Sequence, residues 1–130
     1  MKSSRYLILG ISLAALSVGL GAFGAHGLKN IVDAAQLVTF ETGVRYQFFH
    51  SFAIIIAFIL QDRFHIGNRS SLFFLLGILF FSGSLYLLSL QEVFGFVSVK
   101  FIGPITPIGG VCFLVGWGLL AFDIFKSKNK

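Results

Sequence analysis

The first half of this apolar chain contains six polar side chains of types that take part in protein chemistry: His26, Glu41, Arg45, Tyr46, Gln47 and His50. A histidine changes its charge near neutral pH, which suits it to handle a proton or to contact a ligand. If folding brings both histidines and Glu41 to one end of the molecule, these residues form a small polar cluster. We take that cluster as the candidate functional site.

The same residues also have structural interpretations, and the sequence leaves both open. His50 lies about one turn inside an apolar segment, where a neutral ring could bond to Gln47, Tyr86 or a backbone carbonyl. Glu41 and Arg45 are four residues apart in the acid-first order that favours an ion pair on a helix. The alternatives for this region are therefore a site for a ligand or proton and a set of internal bonds.

Glycines precede and follow His26, and they too allow two interpretations. Gly19, Gly21 and Gly24 match the spacing of the dinucleotide-binding fingerprint, which requires a strand before it and a helix after it. Because these glycines end a long apolar run, we expect the end of a membrane helix instead. His26 either contacts a ligand there or caps the helix end, with Gly27 in the left-handed conformation.

Several kinds of chemistry have no supporting pattern. No His-x-x-x-His or Glu-x-x-His spacing indicates a metal site, and Cys112 is the single cysteine. No Ser or Cys nucleophile has a recognisable base and orienting acid. The net charge of +5 is spread over short segments and forms no basic stripe for nucleic acid. We predict no catalytic residue, no cofactor, no metal and no nucleic-acid partner, and we leave enzymatic activity as the less favoured alternative.

The composition is that of an integral membrane protein. Hydrophobic residues make up 56% of the chain, charged residues 12%, and the mean hydropathy is +0.91. The apolar residues form blocks of about twenty, the length that crosses a hydrocarbon core of ~30 Å. We predict an all-α fold, a membrane four-helix bundle in one transmembrane domain (1–130), with spans at about 6–25, 44–60, 71–90 and 107–125.

Cap signals refine the ends of these spans. Asp33 followed by Gln36 resembles a capping box and predicts that the second helix begins well before its apolar part, as an amphipathic extension. Thr106 before Pro107 predicts the start of the last span. The segment 91–103 is too apolar for a solvated loop and is expected at the interface. We expect Asp123 to pair with the lysines that follow it.

Small residues four apart on the first span, such as Gly21 and Ala25, share one helical face and allow a second backbone to approach closely. The fourth span has a similar small face at Gly109, Cys112 and Gly116, and in the third span Gly83 lies beside a polar stripe of Ser82, Tyr86 and Ser89. We predict helix packing at six glycines: Gly21, Gly24, Gly27, Gly83, Gly109 and Gly110.

Basic residues predict the orientation. The N-terminus, the second loop and the C-terminus together hold seven Lys and Arg residues, whereas the first and third loops hold three. Lys and Arg favour the cytoplasmic side of a membrane. Both termini are therefore expected in the cytoplasm.

Four strings occur in an order that identifies a family resemblance. They are Gly21-Ala-Phe-Gly-Ala-His-Gly-Leu28, Phe40-Glu-Thr-Gly-Val-Arg-Tyr-Gln47 with His50, Phe81-Ser-Gly-Ser-Leu-Tyr86, and Ile105-Thr-Pro-Ile-Gly-Gly110 with Gly116-Trp117. Over nearly its whole length the chain resembles the YgdD/YwdK-like family of small bacterial membrane proteins, a family of unknown function. The resemblance implies a four-span inner-membrane protein and brings no activity, ligand or catalytic residue.

Three functional hypotheses follow. The preferred one is a structural or accessory membrane protein that assembles with itself or with a membrane-protein partner in the lipid bilayer. The second is a small transporter or channel subunit. The third is a lipid-binding protein or intramembrane enzyme that uses His26, Glu41, Arg45 and His50.

Overall fold

The computed structural model describes residues 4–95 and 99–129 of the chain, and within them it is helical. The third span continues from α3 through a π-helical segment into α4, and a short 3-10 turn follows α1. Four helical segments are long and apolar enough to cross a membrane: Arg5–Asn30, Ala34–Phe64, Arg69–Phe94 and Ile105–Lys128. The predicted all-α, four-span fold is therefore confirmed. The helices are α1 (Arg5–His26), α2 (Ala34–Phe64), α3 (Arg69–Gly77), α4 (Gly83–Phe94), α5 (Val99–Ile102) and α6 (Ile105–Lys128), with the 3-10 turn at Leu28–Asn30 and the π segment at Ile78–Ser82.

Successive spans run in opposite directions. At one end of the bundle, two polar contacts join neighbouring helices. Ser127 donates a hydrogen bond to the carbonyl oxygen of Phe64 over 2.5 Å, which joins the ends of α6 and α2. Arg69 at the start of α3 pairs with Asp123 of α6, with 2.6 Å between the charged atoms. The start of α1 therefore lies at the same end of the bundle as the end of α6.

The capping box at the start of α2 is confirmed. The Asp33 carboxylate accepts from the backbone N–H of Gln36 over 2.8 Å, and the Gln36 side chain accepts from the N–H of Asp33 over 3.1 Å. The helix then runs for 31 residues, which is about 46 Å at 1.5 Å per residue. Since the hydrocarbon core is only ~30 Å thick, the first turns of α2 extend beyond it.

Three local expectations are wrong. Gly27 is right-handed at φ −84°, and the α1 terminus is capped instead by Asn30, whose amide donates to the carbonyl oxygen of His26 over 3.0 Å. The last helix begins at Ile105, so Thr106 lies inside it and bonds to the Ser84 hydroxyl.

The third error concerns Asp123, for which lysines were expected as partners. This carboxylate pairs with Arg69, which comes from another helix. Of the interfacial segment predicted at 91–103, residues 96–98 lie outside the described part of the chain, and Phe101 beyond them is exposed while Ile102 is buried.

The seam between the third span and α6 is built from aromatic rings lying on glycines. Phe113 lies against Gly77, and Phe74 lies against Gly116. At Gly109 even the backbone of Phe81 comes so close that a β-carbon would overlap it. The buried hydrophobic core, which includes these rings, is small: Ala53, Ile54, Ala57, Phe74, Ile78, Phe113 and Leu120.

The six glycines expected at packing positions differ in their surroundings. Gly109 and Gly24 face Phe81 and Phe40 closely, and Gly21 and Gly110 have looser neighbours at 3.5 Å and 3.9 Å from an added β-carbon. Gly27 faces only Phe23 of its own helix, and an added β-carbon on Gly83 would meet open space. Close approaches also occur at glycines absent from that set: Gly10, Gly43, Gly77 and Gly116.

We expect Gly109→Ala to lower the free energy of unfolding by about 1–3 kcal/mol, the usual cost of overpacking, because the added methyl would overlap the Phe81 backbone, which cannot rotate aside as the end of a side chain can. The matched control is Gly118→Ala on the same helix, where nothing lies within 4 Å of an added β-carbon. Reversible unfolding in mixed micelles measures both. Equal stability of the two variants would show that the seam is not closely packed.

Candidate functional site

The bundle interior contains a hydrogen-bonded group around Gln47, which is only 2% exposed. Its amide nitrogen donates to the carbonyl oxygen of Leu13 in α1 over 3.0 Å. Its amide oxygen accepts from the Tyr86 hydroxyl of α4 over 2.7 Å. One side chain therefore joins three helices, in a place where lipid offers no hydrogen-bonding partner.

Serine hydroxyls complete the polar interior. Ser82 donates to the carbonyl oxygen of Gly43 over 2.7 Å, a second bond between the third span and α2. Ser51 and Ser89 donate to carbonyl oxygens one turn earlier in their own helices. The stripe of Ser82, Tyr86 and Ser89 thus bonds both to a neighbouring helix and to its own backbone. In the described chain, Gln61 Nε2 and Ser71 Oγ are the buried side-chain polar atoms without a partner.

His50 lies between aromatic rings next to this group. Its ring stacks on Phe113 with 3.5 Å between centroids and an interplanar angle of 13°. Its Nδ1 is 2.7 Å from the carbonyl oxygen of Tyr46, and the Trp117 indole N–H donates to its Nε2 over 3.2 Å. Because an indole nitrogen only donates, Nε2 must accept and a neutral ring must carry its proton on Nδ1. Both ring nitrogens are therefore occupied inside the bundle.

The six predicted site residues do not form one cluster. Gln47 and His50 are buried in the interior, whereas His26, Glu41 and Arg45 are exposed. His26 lies beyond the level at which Gly24 meets Phe40. Since Phe40 precedes His50 by ten residues on α2, the two histidines are separated by at least roughly 15 Å along the bundle.

Tyr46 lies between these two groups. It is 37% exposed, and its ring lies against Phe81 with 4.6 Å between centroids. Its ring also stacks at a distance on His50, with centroids 6.0 Å apart. Tyr46 is therefore one of the aromatic rings around His50, and part of its ring is exposed at the surface.

Glu41 and Arg45 line a groove of their own between α1 and α2. The groove has a volume of about 390 Å³, and its walls are mostly apolar or small. Within the described residues, neither charge forms an ion pair with the other, although their spacing allows it. The residues lining the groove are Ser17, Val18, Gly21, Glu41, Val44, Arg45 and Phe48.

A second depression, of about 350 Å³, lies at the opposite end of the bundle. It surrounds the ion pair of Arg69 and Asp123, and it also contacts His65 and Lys126. Its main charges are thus already paired with each other. In residues 4–95 and 99–129, no three His, Cys, Asp or Glu side chains are grouped closely enough to hold a metal ion.

Sequence reasoning missed the partner of His50. Trp117 follows His50 by 67 positions and lies on a different helix, so no local spacing connects them. Trp117 also packs edge-on against Phe74, with centroids 4.9 Å apart. The only signal was its place in one of the four family strings, which identifies a motif without indicating a contact.

Fold and polar interior define this protein as a small helical membrane protein that crosses the bilayer four times. Comparisons with known proteins agree. Residues 20–110 match the model of a family described as a protein of unknown function, DUF423. UPF0382 membrane protein SSP2132 of Staphylococcus saprophyticus is 42% identical, over 93% of this chain and 97% of its own.

Two further relatives extend this result. UPF0382 membrane protein YwdK of Bacillus subtilis is 40% identical over 93% of this chain and 96% of its own. UPF0382 inner membrane protein YgdD of Escherichia coli is 37% identical over 98% of this chain and 95% of its own. No solved structure matches. The chain belongs to the DUF423 (UPF0382) family of membrane proteins, and the resemblance drawn from its motifs is confirmed.

We expect Tyr86→Phe to lower the free energy of unfolding by about 0.6 kcal/mol and by no more than about 1.7 kcal/mol, the average and the maximum measured for hydrogen bonds between membrane helices, because Gln47 loses its donor. Tyr6→Phe removes a hydroxyl from a half-buried ring near the bundle end and serves as the control. Unfolding in mixed micelles measures both. The double variant with Gln47→Leu should cost less than the sum of the single changes. Strict additivity would show that the two side chains do not interact.

Proposed function

We propose that the whole chain, residues 1–130, works as a single structural membrane module whose interior is closed to solutes. The observation that carries this proposal is the seam of rings lying on glycines between the third span and α6. In the polar interior, Gln47 and Tyr86 are bonded to each other. A transporter needs interior groups that exchange partners with a solute, and these groups already have partners.

The enzymatic alternative needs converging side chains, and His26 and His50 lie far apart. His50 has both ring nitrogens engaged, so it offers neither a free lone pair nor a proton to a substrate. Of His26, Glu41, Arg45 and His50, only Glu41 and Arg45 line the same open groove. The module therefore acts through its outer surface.

We further propose that the module assembles with a second copy of itself through α1. This helix is the least covered span: 17% of its most apolar stretch is buried, against 39% for α2. Between Ser12 and Ala22 its uncovered side carries small residues where a lipid-facing helix normally carries large ones, and two such faces can approach closely. They are Ser12, Ala15, Gly19 and Ala22, all exposed, on the side opposite the buried Ser17 and Gly24.

Cysteine crosslinking in a Cys112→Ala background tests this assembly. Gly19→Cys and Ala15→Cys should form disulfide-linked dimers in native membranes, because both positions lie at the centre of the small face. Val18→Cys is the control, since it is 65% exposed but lies about 100° from Gly19 and about 60° from Ala15 around the helix. Equal crosslinking at position 18, or crosslinking only to a different protein, would contradict self-assembly.

We propose that the membrane is the bacterial plasma membrane and that both termini lie in the cytoplasm. The distribution of Lys and Arg supports this orientation, as does the fastening of the α6 end beside the start of α3. A C-terminal green fluorescent protein fusion should be fluorescent, and a C-terminal alkaline phosphatase fusion should be inactive. The reverse pattern would overturn the orientation, and fusions after Asn30 supply the opposite-side control.

A further inference from the structure

The groove that contains Glu41 and Arg45 lies at the level of one membrane boundary. Arg45 and Arg63 are eighteen residues apart on α2, which corresponds to about 27 Å, close to the ~30 Å thickness of a hydrocarbon core. Arg63 is exposed in the last turn of α2, at the end of the bundle fastened by Arg69 and Asp123. Arg45 therefore lies near the other boundary, and Glu41 lies one turn further out.

The two charges are positioned to bind rather than to stabilise the fold. Both side chains are exposed, and neither forms an ion pair within the described residues. On a helix, residues four apart have β-carbons roughly 5–6 Å apart, so the two charges can contact neighbouring groups of one ligand. Such a ligand carries a cation toward Glu41 and an anion toward Arg45.

Apolar side chains continue the groove toward the membrane centre. Phe48 lies one turn below Val44, and Phe52 lies against it with 5.0 Å between ring centroids. Both rings are partly exposed, at 37% and 46%. On the α1 side, Gly21 leaves space where a larger residue would fill the groove. A hydrocarbon chain can lie along this path.

We propose that this groove binds a zwitterionic phospholipid with a primary ammonium in its headgroup, that is, a phosphatidylethanolamine. In such a lipid the phosphate is nearer the acyl chains and the ammonium lies further out, which is the order of Arg45 and Glu41. A guanidinium binds phosphate oxygens bidentately, and a carboxylate accepts N–H bonds from a primary ammonium. The acyl chain lies on Phe48 and Phe52.

Other headgroups fit less well for defined reasons. A phosphatidylglycerol headgroup has no cation for Glu41. A choline headgroup has a cation without N–H groups, so it cannot donate hydrogen bonds to a carboxylate. The groove also faces a different side of α1 from Gly19, so lipid binding and self-assembly can be tested separately.

Native mass spectrometry of the detergent-purified full-length protein tests the proposal. Chain-matched phosphatidylethanolamine, phosphatidylglycerol and phosphatidylcholine are added separately, and the lipid-bound fraction is compared. We expect a preference for phosphatidylethanolamine that falls about tenfold in Glu41→Gln, the loss of one charged hydrogen bond. Arg45→Gln should lower the bound fraction of all three lipids, because each of them carries the phosphate that Arg45 contacts. Glu92→Gln and Arg63→Gln, which change exposed charges elsewhere, should keep the preference.

A charge-reversed double variant, Glu41→Arg with Arg45→Glu, sharpens the test because it keeps both charges and inverts their order. It should lose the preference while retaining the wild-type unfolding midpoint. Soluble glycerophosphoethanolamine and inorganic phosphate should not compete, because they lack acyl chains. Equal binding of all three lipids, an unchanged preference in Glu41→Gln or in the charge-reversed variant, unchanged lipid binding in Arg45→Gln, or full competition by either soluble compound would overturn the proposal.

Discussion

The structure depends on one constraint, which is that polar groups inside the bundle must find their hydrogen-bonding partners within the protein because lipid supplies none. Gln47 meets this constraint most completely, since it binds a backbone carbonyl of α1 and the hydroxyl of Tyr86 at the same time. These bonds are directional, whereas the surrounding apolar contacts are not. They therefore fix how α1, α2 and the third span are rotated against one another.

Close packing between α6 and the third span follows a different rule. Lipid tails are as apolar as side chains, so helices in a membrane associate through shape and van der Waals contact. A flat ring lying on a glycine supplies both, as Phe113 does on Gly77 and Phe74 does on Gly116. Each of the two helices provides a ring and a glycine, which explains why this seam closes without a large hydrophobic core.

The sequence predicts what is local and misses what depends on contacts between helices. The four long apolar helices and the Asp33 cap follow from runs of residues and from a three-residue spacing, and the structure has both. Which glycines meet a neighbour is set by the rotation of whole helices, so Gly83 has open space beside it while Gly43 meets Tyr86. The His50–Trp117 bond likewise depends on how whole helices are rotated against one another. Thr106 is not the N-cap of the last helix, because the helix already begins at Ile105, directly after Pro104, whose φ of −66° is helical.

The π segment explains a further limit of ordinary helical spacing. Its wider turn rotates the residues that follow relative to a continuous α-helix. After it, Tyr86 reaches Gln47 of α2 while Ser84 reaches Thr106 of α6, so α4 bonds to two helices from neighbouring positions. A regular α-helix through Ile78–Ser82 would shift the register of α4 by about one residue and turn both hydroxyls away from their partners. The irregular turn is thus a condition of the polar interior, because it lets one span satisfy groups on both of its neighbours.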